Sequence, residues 1–111
     1  MPQNRNKLVD LFVANITNAI VHQVLEKAID NAEIANKYVK EFQTSWDIAK
    51  KYREKINPAN KTLPDIKEIK DKIIKKAHAK LLIRVTNGYE NINLNLVDEL
   101  LTKALKELNV L

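Results

Sequence analysis

The chain has no cysteine, one glycine and three prolines in 111 residues. Without cysteine there is no disulfide and no thiolate nucleophile, and a zinc site would have to be built from His and carboxylates alone. Sheet-rich domains spend Gly, Pro and related turn residues on many tight connections. Their shortage here points to long helices and few loops. A single glycine also excludes a Gly-rich phosphate loop and a Gly-x-Ser-x-Gly nucleophile elbow. The two histidines, His22 and His78, are far apart and fit no H-E-x-x-H spacing. His22 with Glu26 is an ordinary i,i+4 helix-surface pair. No catalytic residue, metal site or cofactor is therefore expected, the chain reads as non-enzymatic, and no small-molecule substrate is inferred.

Long apolar runs are missing too. Asp10, Asn15, Asn18, His22 and Glu26 interrupt the apolar segment near the N-terminus, whereas a membrane span needs ~20 mostly apolar residues. The sequence reads as a soluble, cytoplasmic, single helical domain over residues 1–111 with no membrane partner.

What is abundant is lysine: sixteen, against three arginines, with a net charge of +5. Residues 50–84 hold twelve Lys/Arg and four Asp/Glu, while the first thirty residues hold three of each. A clustered basic stretch attracts polyanions; evenly spread charge mainly confers solubility. Lysine is a hydrated point charge suited to phosphate, and arginine supplies the planar fork that reads bases. The bias thus argues for contact with a phosphate backbone without base specificity. The candidate nucleic-acid-binding residues are Lys50, Lys51, Lys55, Lys61, Lys72, Lys75 and Lys76. Glu68 with Lys72 and Asp71 with Lys75 are spaced as solvated helix-surface pairs.

The spacing of apolar residues predicts an all-α fold of about four helices, over 6–29, 32–55, 65–86 and 94–109, in a largely antiparallel bundle. In the first, Leu8, Val9, Phe12, Val13, Ile16 and Ile20 share one face, and Val21, Val24, Leu25, Ala28 and Ile29 lie on another. Either this helix breaks near residues 15–18, or it is buried on different sides at its two ends. A central helix would be so buried, and so would one shared with a second subunit. Asp30 and Glu33 match a capping box that restarts the chain as the second helix. Ile34, Tyr38, Phe42, Ala49, Tyr52 and Ile56 form its stripe, with Trp46 at the edge; the run of aromatics reads as core packing.

Residues 57–64, with two prolines and two asparagines, are a loop. Ile66, Ile69, Ile73, Ala77 and Leu81 mark the buried face of the third helix, which Asn87 and Gly88 close. An alternative pairs residues 81–86 with 89–93 as a hairpin around Asn87-Gly88. Asn93 caps the last helix, whose inner face carries Val97, Leu100, Leu101, Ala104 and Leu108. Phe42, Ile73 and Leu101, each mid-stripe, are the expected core.

Two functional classes follow. One is a helical interaction or assembly module that self-associates as a dimer through Leu8, Phe12, Ile16, Val21, Leu25 and Ala28. The other is a basic accessory protein that binds RNA or DNA non-specifically through residues 50–76.

Overall fold

A computed structural model of the chain describes residues 5–56, 66–88 and 91–108. The four helices are α1 (Arg5–Ala28), α2 (Ala32–Ile56), α3 (Ile66–Thr86) and α4 (Leu96–Glu107). Helix makes up 88 % of the described residues and no strand occurs among them, so the all-α bundle stands and the hairpin alternative does not. The run Leu81-Leu82-Ile83 stays helical because no stop signal precedes it. The helix ends where Asn87 N–H bonds to the Ile83 carbonyl and Gly88 N–H to that of Val85. Gly88 has φ +95°, a left-handed conformation that only glycine adopts without cost.

α1 is one unbroken helix, which settles the first alternative in favour of burial on changing sides. Leu8, Val9, Phe12, Val13, Ile16, Ala19 and Ile20 are buried in its first part, Val21, Val24 and Leu25 in its second. It packs against α2, α3 and α4, whereas no Cα of α2 comes within 8 Å of one in α3 or α4. The apolar arc rotates along α1 because its neighbours change along its length. Polar groups caught on this helix are satisfied locally: Thr17 Oγ1 donates to the Val13 carbonyl and Asn15 Nδ2 to that of Leu11. By length and composition alone residues Lys7–Ala28, mean hydropathy 1.4, would suffice to span a bilayer. Here that apolarity is spent on the bundle interior.

α1 and α2 run antiparallel across a three-residue turn, Ile29 to Asn31. Asn31, not Asp30, caps α2: its side-chain oxygen accepts from Ile34 N–H at 3.2 Å and its carbonyl from Ala35 N–H. The N-cap therefore shifts by one residue and the Asp30–Glu33 box does not form, since Asn31 puts Ile34, with no side-chain acceptor, at the third helical position. α2 is continuous through Thr44, whose hydroxyl donates back to the Lys40 carbonyl. α4 starts at Leu96, two residues later than expected. Asn93 Oδ1 accepts from Asn95 N–H, and the Leu96 and Val97 N–H groups bond back three residues, forming a tight turn ahead of the helix. The loop 57–64, with Lys61, lies outside the described residues.

Ile73 and Leu101 are fully buried, but Phe42 is only partly so. Ile34, at 45 % exposure, has left the stripe altogether. α2 rests on a single neighbour, so its contact face is narrow: Tyr38, Ser45, Ala49 and Arg53 are its buried residues. Arg53 turns inward, and its Nε donates to the Leu108 carbonyl at 3.1 Å, tying α2 to the end of α4. Truncating Ile16 or Ile73 to Ala is expected to cost ~2–5 kcal/mol in urea unfolding, and Phe42→Ala clearly less, because that ring already meets solvent. Equal losses at all three would mean that α2 is packed on more than α1.

Candidate functional site

Of the seven basic candidates, Lys50, Lys51 and Lys55 are exposed on α2, Lys72, Lys75 and Lys76 are exposed on α3, and Lys61 lies outside the described residues. The two groups sit on different helices, both packed on α1, with no Cα of α2 within 8 Å of one in α3. On α3 the cations have an order that composition did not reveal: Lys72, Lys76, Lys80 and Arg84 recur every fourth residue. Residues so spaced form one row along a helix, ~6 Å apart along the axis. The signal was present as an i,i+4,i+8,i+12 repeat, but counting charge over a window hides it. Lys80 Nζ donates to Asn18 Oδ1 of α1 at 2.7 Å, so the row runs along the side of α3 that borders α1. Among the described residues neither Glu68–Lys72 nor Asp71–Lys75 closes to an ion pair, whereas His22–Glu41 and Lys70–Asp98 do.

Leu8, Phe12, Ile16, Val21 and Leu25, the candidate self-association residues, are buried inside the chain, and Ala28 is partly buried. α2, α3 and α4 supply the cover for both faces of α1. The large apolar side chains left at the surface are elsewhere: Ile34, Val39 and Ile48 on α2, and Leu82, Ile83 and Val85 on α3. On α3, Ala79, Leu82, Ile83 and Thr86 are all exposed, at i, i+3, i+4 and i+7. This is the spacing of a helix face built to be covered. α3 therefore carries two apolar stripes, Ile69/Ile73/Ala77/Leu81 facing the core and a shorter one facing solvent.

His22 pairs across to α2 rather than with Glu26. Its Nε2 lies 3.2 Å from a Glu41 carboxylate oxygen, its ring stacks on Tyr38 with centroids 5.9 Å apart, and its Nδ1 is buried without a partner. A cavity of about 150 Å³ opens beside it, lined also by Gln23, Glu26, Val39 and Phe42. Burial lowers the His22 pKa below the ordinary 6.5; Glu41 opposes the shift, and Arg84 and Lys80 of α3 add to it. The neutral ring fits this setting, donating from Nε2 to Glu41. A proton on Nδ1 would meet no acceptor.

Phe42, which also lines the cavity beside His22, stacks on Trp46 with centroids 5.8 Å apart. They form one wall of a cleft of about 300 Å³, whose opposite wall is Leu100, Lys103, Ala104 and Glu107 of α4. No set of three or more His, Asp or Glu side chains that could hold a metal ion occurs among the described residues. No protein-family model, curated protein or solved structure matches the chain.

The folded state favours neutral His22, so the unfolded chain binds more protons as pH drops below about 6.5, and stability falls with it. The contribution is whole above that pH and is lost progressively toward the lowered folded-state pKa. The urea midpoint of the wild-type protein should fall over this range relative to that of His22→Gln. Parallel pH profiles for the two proteins would assign the loss to carboxylates instead.

Proposed function

We propose that the protein is a non-enzymatic helical interaction module that pairs with a second copy of itself through the outer face of α3. The observation that carries this reading is the exposed stripe Ala79, Leu82, Ile83 and Thr86, with Leu82 at 50 % and Ile83 at 61 % exposure. The apolar residues of α1 first suggested for this role are already covered within the chain.

A second copy is the simplest occupant. An isologous contact needs only one patch that complements itself about a two-fold axis. Two α3 helices crossing antiparallel would set Ile83 against Leu82 of the other copy, with Ala79 small enough to let the backbones approach. Lys75, one turn before the stripe, would then lie beside the C-terminal carbonyls of the opposing α3, where a cation is favoured. The contact is a single helix pair, so the expected affinity is modest.

Light scattering should give a mass approaching twice the 12.8 kDa of the chain at a protein concentration of about 100 µM, a concentration suited to a weak contact. Ile83→Lys, an exposed position whose change leaves the core intact, should return it to the single-chain mass. Pairing through apolar contact should persist in high salt, where contacts through the lysines would be screened. A single-chain mass for the wild-type protein at that concentration overturns the reading. So does an Ile83→Lys variant that pairs as well as the wild type.

A further inference from the structure

We infer that the channel between α2 and α3, floored by α1, binds the backbone of a single-stranded nucleic acid. This does not depend on pairing of the protein, since the outer stripe of α3 and the channel-facing row use different side chains.

The channel follows from three contacts. Glu41 of α2 reaches His22, Lys80 of α3 reaches Asn18, and Arg84 is close enough to act on His22. Two helices thus border the same side of α1 while no Cα of one lies within 8 Å of a Cα of the other. Between their footprints Ala14 is exposed and Leu11, Asn15 and Asn18 are partly buried, as expected for a floor that solvent reaches but neighbours flank. α4 does not close this side; it faces the opposite edge of α2, across the Phe42–Trp46 cleft.

The lining is cationic on one wall and mixed on the other. Lys72, Lys76, Lys80 and Arg84 run along α3 at ~6 Å intervals, close to the separation of successive phosphates in an extended strand. Asp71 falls outside the row, and Glu68, four residues before Lys72, is its acidic end. Across the channel, the stripe of α2 that contains Glu41 continues through Ile48 and Tyr52 to Lys55. Lys55 Nζ sits 5.8 Å from the Tyr52 ring centre. A cation with an aromatic ring beside a basic row is the combination that holds single strands, phosphates on the charges and a base on the ring. The described acids on the lining are Glu41, engaged by His22, Asp10 on the α1 floor, and Glu68 at the N-terminal end of the α3 row. A duplex is nearly as wide as the bundle itself, 24 Å across, and cannot enter between two of its helices.

The test is fluorescence anisotropy of the full chain with a labelled 20-nucleotide single strand of mixed sequence, a hairpin duplex of equal charge, and polyglutamate as an acidic-chain comparison. At low salt the single strand should bind at micromolar protein. The dissociation constant should rise by about 0.7 log unit per phosphate contacted for each decade of salt, or about 2 for Lys72, Lys76 and Lys80. Lys76→Glu with Lys80→Glu should weaken binding more than about tenfold while the circular dichroism stays helical. The matching reversal at Lys103 and Lys106 of α4, equal in charge but off the channel, should weaken it less than about threefold. Lys76→Gln with Lys80→Gln keeps the result interpretable if the double reversal fails to fold, and should still weaken binding measurably. No binding by the wild-type protein at about 100 µM, beyond the middle of the non-specific range, overturns the inference. Equal losses from the α3 and α4 variants overturn it as well, as does binding of the duplex or of polyglutamate as tight as that of the single strand.

Discussion

Everything else in the molecule hangs on the burial of α1. A helix in a small bundle ordinarily hides one stripe and shows the rest to water. α1 hides most of its circumference, first around Phe12 and Ile16 and then around Val21 and Leu25. The hydrophobic effect scales with apolar area removed from water, so this one helix concentrates much of the available driving force. The other three need only one inward stripe each. The low content of turn residues agrees with the plan, because three connections suffice to wrap three helices around a fourth.

A central helix has a geometric consequence. Neighbours that each lean on α1 need not touch one another, and α2 touches neither α3 nor α4 along its backbone. α2 is therefore flanked by open space on both edges. One edge is the aromatic cleft of Phe42 and Trp46 against α4, the other is the channel facing α3. Arg53, reaching the Leu108 carbonyl, is a polar tie across one of these gaps, and His22 ties α1 to α2 through Glu41. Both are groups that a purely apolar seam would not need, and their placement explains why a residue inside the most basic stretch of the chain turns inward.

α3 shows how the same helix can serve several surfaces. Its inner stripe ends at Leu81, its outer stripe is confined to the last two turns, and the row from Lys72 to Arg84 includes Lys80, which reaches α1, while Lys70 pairs with Asp98 of α4. Summed over one helical period these opposing faces nearly cancel. Amphipathicity taken over the whole helix thus hides two separate apolar faces, and the outer one was visible only once the inner one had been assigned to the core.

The order and extent of the helices were legible in the sequence because helix formation is local: spacing of apolar residues, caps and turn residues act within a few positions. The rotating faces of α1, the closing role of Asn87-Gly88 and the burial of Ile73 and Leu101 belong to this part. Which side of α1 each helix would cover, and hence that a single chain could cover it all, rests on contacts distant in sequence. No local pattern encodes those. The same limit applies to the candidate site. The excess of lysine over residues 50–84 was plain, but only the packing decided that Arg53 turns inward, that Phe42 stays at an edge, and that Lys80 reaches Asn18 of α1. Charge is a property of the residue; its direction is a property of the fold, set by which apolar neighbour lies one turn away on the opposite face.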